Sequence, residues 1–172
     1  SPDGSRAAMA SNVEGEASIH VRLWDVATGG GRVDLSMAST IGYLENKVTL
    51  AFAPDGLSLA GSAGESVGIW DARTGARLGG FDCPDTVYCI AFAPDGGSLL
   101  VGLADQYVEL REVPGGARLR RVEHSAARTV LRVAFSADGG RFAAVSTEGD
   151  AGGVNASVIS FWNATTGARI ST

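Results

Sequence analysis

The chain has 172 residues, 45% of them hydrophobic and 19% charged, with 24 Gly and 5 Pro; this is the composition of a folded domain with many chain reversals, and it excludes a disordered segment. No apolar run approaches the roughly 20 residues of a membrane-spanning helix, so no membrane role is expected. The net charge of -5, from 19 acidic and 14 basic side chains, argues against a nucleic-acid binder, which needs a concentrated positive surface.

The chain opens on Ser1, Pro2, Asp3 and Gly4, a tight-turn sequence without an initiator Met or a signal-peptide pattern, and an intracellular setting is expected. The same corner returns as Ala53, Pro54, Asp55, Gly56, then as Ala93, Pro94, Asp95, Gly96, and in altered form as Ser136, Ala137, Asp138, Gly139. The aspartates of these corners are 52, 40 and 43 residues apart, and Phe52, Phe92 and Phe135 precede the last three corners. Downstream of each corner lies a second recurring block. It carries Trp24 and Asp25 in the first unit, Trp70 and Asp71 in the second, Arg111 and Glu112 in the third, and Trp162 and Asn163 in the fourth.

Within a unit the local chemistry predicts strand after strand. Residues 47–52 are β-prone, the Pro-Asp-Gly corner reverses the chain, and 57–62 resume an apolar run. A turn at Glu65 and Ser66, a strand from Val67 to Trp70, a turn at Thr74 and Gly75, and a strand from Ala76 to Phe81 complete the unit. No segment has a helical period. Four short antiparallel strands in about 40 to 45 residues is the arithmetic of a β-propeller blade.

The Trp-Asp pairs and the Phe-Ala-Pro-Asp-Gly corners resemble the WD-repeat β-propellers, and the resemblance covers the whole chain. The repeats are divergent: Arg111 stands in the Trp position of the third unit, Asn163 replaces an Asp, and the family's Gly-His dipeptide is missing. The resemblance implies an all-β fold of four-stranded antiparallel blades, with Trp24, Asp25, Asp55, Trp70, Asp71, Asp95, Asp138 and Trp162 as its structural motif. The expected blades are 1–39, lacking its innermost strand, then 47–82, 86–123 and 128–172. About three and three-quarter blades fall short of a seven- or eight-bladed ring. The expectation is therefore an incomplete arc, an excerpt of a longer chain; a half that pairs with a second copy, or a closed four-bladed ring, are the alternatives.

His124, Ser146 and Asp150 look like a hydrolase triad, but no nucleophile elbow or oxyanion loop accompanies them. The resemblance implies instead a structural relay of His124, Ser146 or Thr147, Asp150 and Trp162. Cys83 and Cys89 lack histidines at ligand spacing, and Cys89 lies in an apolar run where a thiol acts as a small core group. His20 is expected to be an ordinary strand residue, and the Gly-rich stretches lack the Lys of a phosphate cradle. The Asn155 and Asn163 acceptor patterns read as chance matches. No catalytic, cofactor or metal site is expected.

Two features point to partners. From corner Asp to the aromatic position of the third strand there are 15 and 16 residues in units two and three, but 21 and 24 in units one and four. The excess falls at 12–17 and 148–157, making Asn12, Glu14, Glu16, Glu148, Asp150 and Asn155 candidates for partner contact. From Arg111 to Arg141 there are seven Arg against three acids, and Arg118, Arg120 and Arg121 would grip an acidic peptide or a phosphate backbone if they project together. The functional expectation is a non-catalytic scaffold within a multiprotein assembly: cytoskeletal or ciliary, ribonucleoprotein, or signalling. Its partners are other protein subunits, together with the remainder of the chain or another propeller half that closes the ring. The alternative is the propeller portion of a larger enzyme, a peptidase or dehydrogenase, whose catalytic domain lies elsewhere.

Overall fold

The computed structural model describes residues 1–12, 18–30, 33–38, 48–124, 129–149 and 155–171. Its strands form four antiparallel sheets in chain order. Sheet one holds β1 (Arg6–Asn12), β2 (Ser18–Asp25) and β3 (Val33–Ala38). Sheet two holds β4 (Val48–Phe52), β5 (Ser58–Ala63), β6 (Ser66–Asp71) and β7 (Arg77–Asp82). Sheet three holds β8 (Val87–Phe92), β9 (Ser98–Leu103), β10 (Tyr107–Glu112) and β11 (Arg118–Glu123). Sheet four holds β12 (Val130–Phe135), β13 (Arg141–Gly149), β14 (Asn155–Asn163) and β15 (Arg169–Ser171). Each sheet is a meander, its first strand at one edge and its last at the other. The all-β fold of four-stranded antiparallel blades expected from the repeats is what the chain forms, with three strands described in the first.

The Asp-Gly corners build the first turn of each unit. Gly56, Gly96 and Gly139 hold φ near 70° (70, 72 and 70°), a conformation that costs glycine little, and the Asp side chain closes the turn. Asp55 Oδ1 accepts from the Leu57 amide at 2.9 Å, Asp95 Oδ1 from Gly97 at 2.9 Å, and Asp138 Oδ1 from Gly140 at 2.9 Å. Asp71 closes the later turn in the same way, accepting from the Thr74 amide at 2.7 Å and its hydroxyl at 2.9 Å. One expected turn shifts by a residue: Ala63 pairs with Ser66, so Gly64 and Glu65 make a two-residue hairpin. Gly64, at φ 62°, takes the positive dihedral that such a short connection demands.

Strand alternation gives each sheet two apolar faces, and these meet at three seams. Ile19, Val21 and Leu23 of sheet one pack with Leu59 and Trp70 of sheet two. Val67 and Ile69 of sheet two pack with Leu99, Val101 and Leu103 of sheet three. Val108 and Leu110 of sheet three pack with Phe142, Ala144 and Trp162 of sheet four. Strands β4, β8 and β12 lie side by side, and residues 48–50, 88–90 and 131–133 line a groove of about 600 Å³ along them. These are the inner edges of an arc of stacked blades.

Candidate functional site

Two tryptophans of the repeated motif, Trp70 and Trp162, are packing residues. Trp70 and Trp162 are buried at seams, while Trp24, on the face of β2 opposite Val21 and Leu23, is half-buried. Phe142 stacks on Trp162 at 5.2 Å, and the His124 ring meets the same indole edge-on at 5.5 Å. His124 and Ser146 are fully buried, so neither is a surface residue; Asp150 lies outside the described residues. Both cysteines are buried free thiols, and burial pushes each up to about 12, which keeps them protonated and unreactive. Among the described residues no group of three or more His, Cys, Asp or Glu is placed to hold a metal ion.

The third sheet departs from this pattern at the position the sequence singled out. Arg111 stands where Trp70 stands, and two residues earlier on the same strand face Glu109 stands where Gly68 does. Glu109 is fully buried. Its Oε2 accepts from Arg111 Nη2 at 2.5 Å and Nε at 2.8 Å, and Oε1 accepts from Arg118 Nη1 at 3.3 Å, with Arg121 Nε at 3.8 Å. Arg111 also donates to the Gly116 carbonyl at 3.0 Å and lies over the Phe81 ring of sheet two at 5.1 Å. A buried carboxylate is tolerated because its lone pairs are met by guanidinium donors. Sequence reasoning missed Glu109. The signal was available: an Arg in a Trp position with an acid two residues before it, and three more Arg on the next strand.

That cluster decides where the candidate arginines point. Arg118 and Arg121 turn toward Glu109, and Arg121 Nη2 also donates to Asp105 Oδ2 at 2.7 Å with its guanidinium 4.0 Å above the Tyr107 ring. Arg120, across from Leu110, faces sheet four and donates to the Thr165 carbonyl at 2.7 and 3.2 Å. The three therefore do not project together; strand alternation and the irregular register of β11 put them on opposite faces.

The ladders that lead into the two long connections run to the same end of their sheets. Where β5 and β6 end their ladder at Ala63 and Ser66, β13 and β14 continue past Ser146 through Thr147, Glu148 and Gly149, paired to Ser157, Ala156 and Asn155. In sheet one the ladder reaches Asn12 opposite Ile19. Glu14, Glu16 and Asp150 lie outside the described residues, and nothing is described of the side chains of Asn12, Glu148 and Asn155.

Comparison with known proteins places these features in a family. The family model described as "WD domain, G-beta repeat" matches residues 75–110, the stretch from the turn before β7 to β10. The serine-threonine kinase receptor-associated protein of Dictyostelium discoideum is 30% identical over 129 residues, which cover 75% of this chain and 41% of that protein. The intraflagellar transport protein 122 homolog of Xenopus tropicalis is 42% identical over 60 residues, 34% of this chain and 5% of that protein. The matches thus span less than half the length of either relative. The matched stretch is one turn of a pattern whose four-stranded meander and motif position recur along the chain, and it is in this pattern that the chain is similar to the WD-repeat β-propellers.

Proposed function

We propose that the chain is a non-catalytic interaction scaffold, a propeller platform that presents its long hairpins to other subunits of a protein assembly. The observation that carries this reading is the extended β13–β14 ladder. It projects three residue pairs beyond the Ser146–Val158 pair, on a sheet held rigid by its seam with sheet three. A rigid repeat scaffold with unequal loops on one edge is suited to display, because the loops vary while the sheets keep their packing. The names of the two relatives, a receptor-associated protein and an intraflagellar transport protein, support a role in assemblies, signalling or cytoskeletal and ciliary, and an intracellular setting.

The outer faces of the arc extend the proposal. Ile159 and Phe161, 46% and 41% exposed, repeat on sheet four the positions that Val67 and Ile69 bury at the second seam. A further sheet of the same kind covers that face, supplied by the remainder of the same chain or by another propeller half.

The test replaces residues 147–157 by the Gly64–Glu65 hairpin of sheet two and shortens 12–18 in the same way. Loss of co-purifying subunits with an unchanged unfolding midpoint is the expected result. An unchanged set of subunits overturns the display role of these hairpins, and a hydrolase or dehydrogenase activity that co-varies with the segment overturns the scaffold reading altogether.

A further inference from the structure

The outer strands repeat a feature of their own. Arg77 and Leu78 of β7, Arg118 and Leu119 of β11, and Arg169 and Ile170 of β15, each pair preceded by an alanine, occupy the same place after the turn that follows each motif position. In each case the ladder skips one residue. Trp70 pairs with Arg77 and Ile69 with Gly79; Arg111 pairs with Arg118 and Leu110 with Arg120; Trp162 pairs with Arg169 and Phe161 with Ser171. The skipped residues are Leu78, Leu119 and Ile170, and they are 46%, 42% and 50% exposed. Single exposed aliphatic residues are ordinary, but three at one register position, each on the bulge of an edge strand, are a surface pattern.

The three knobs belong to one continuous band. The turn of sheet three leans on the outer strand of sheet two, with Gly79 against Pro114 and Gly116 against Phe81, where a Cβ on Gly116 would lie 2.6 Å from the Phe81 Cβ. The turn of sheet four leans in the same way on β11, through Arg120 and the Thr165 carbonyl and through Gly167 beside Val122. The band is also positive in a chain whose net charge is -5. Strands β7, β11 and β15 carry five arginines; Arg118 and Arg121 are paired with Glu109 and Asp105, which leaves Arg77, Arg120 and Arg169 against Asp82 and Glu123. Arg77, Arg120 and Arg169 direct their described hydrogen bonds to neutral oxygens, those of Gly79, Leu119, Thr165 and Ser160, so no carboxylate neutralises them there.

We propose that this outer band, with Leu78, Leu119 and Ile170 as its apolar points and Arg77, Arg120 and Arg169 as its cations, docks an acidic protein segment bearing aliphatic side chains. The charge selects an acidic partner, and the bulges oppose strand addition by another sheet edge, so the contact is made by side chains. This rests on the scaffold reading and names a second surface for it.

The test uses a fluorescein-labelled peptide of repeating Glu-Glu-Leu against the whole chain, with a Glu-Glu-Ser peptide as control, read by fluorescence anisotropy. Saturable binding is expected, about tenfold tighter for the Leu peptide, the effect of burying roughly one aliphatic side chain. The double variant Leu119→Ser/Ile170→Ser loses about tenfold in affinity at an unchanged unfolding midpoint, since both side chains are exposed. The variant Arg77→Gln/Arg169→Gln lowers the salt dependence. Absence of saturable binding, equal binding of the two peptides, or an unchanged affinity of the Ser variant overturns the proposal. So does a dimer in light scattering that the Ser variant converts to monomer, because the occupant is then a second copy. Each of these failures leaves partner capture through the long hairpins intact, which separates them from failure of the scaffold reading.

Discussion

Sheets two and three meet the same packing requirement with opposite chemistry. In sheet two the motif position holds Trp70, the residue two before it is Gly68, and the residue opposite Gly68 on the outer strand is Gly80. The two glycines leave room for the indole: a Cβ on Gly68 would lie 2.6 Å from Trp70 Cζ2. In sheet three the motif position holds Arg111, the residue two before it is Glu109, and opposite Glu109 stands Arg121. Three positions have changed together, from an aromatic plate over empty backbone to a buried carboxylate ringed by guanidinium groups. The comparison teaches that the motif is a volume to be filled with every polar group satisfied, and that the tryptophan is one solution to it. It also explains why loss of the Trp leaves the blade intact.

Breaking the ionic version should cost most. Replacing Glu109 by Ala leaves Arg111, whose side chain is 12% exposed, without its carboxylate, and removal of one partner from a buried pair costs about 3–5 kcal/mol. Urea unfolding of the whole chain measures this; a loss under about 1 kcal/mol would show that the cluster is dispensable. Arg111→Trp alone should be similarly damaging, and adding Glu109→Gly should recover at least half of the loss by converting sheet three to the chemistry of sheet two. A double variant no better than the sum of its parts contradicts the coupling. In sheet two, Gly68→Ala drives a methyl into the Trp70 ring and should cost about 1–3 kcal/mol, the usual penalty of overpacking. A neutral effect would mean that the indole has somewhere to go.

The smallest effect is common to the turns. Hydrogen bonds from Ser1 and Ser5 hold Asp3 down to about 2; the Thr28 amide and hydroxyl lower Asp25, those of Thr74 lower Asp71, and the Ser136 hydroxyl with the Gly140 amide lowers Asp138. Carboxyls depressed in the folded state contribute stability above their ordinary range, and that contribution is lost as pH falls through it toward 2. The thermal midpoint should therefore decline below about pH 4, and Asp71→Asn with Asp138→Asn should flatten the decline. An acid limb identical in the variant would place the titrating groups elsewhere.

Much of this was legible before the structure, because the repeated elements are local. The Pro-Asp-Gly corners, the Asp-Thr-Gly turns and the period-two apolar runs each specify their own conformation within a few residues, and four copies in fixed order give the blade count. Cys89 in the core was equally readable from its apolar run. Other features were not. The burial of His124 depends on Trp162, some 38 residues on, and the division of Arg118 and Arg121 from Arg120 depends on a skipped residue in the β11 ladder. Strand alternation alone would have placed Arg121 on the opposite side from Arg118.

By itself, then, the sequence determined the strands, the turns and their repetition, since backbone dihedrals and period-two patterning are set by neighbours along the chain. Only the tertiary structure decided which faces meet, that Glu109 is a buried counter-ion, and that Leu78, Leu119 and Ile170 stand out along one band. Burial and ion pairing are properties of a seam between two sheets, and no single stretch of chain contains a seam.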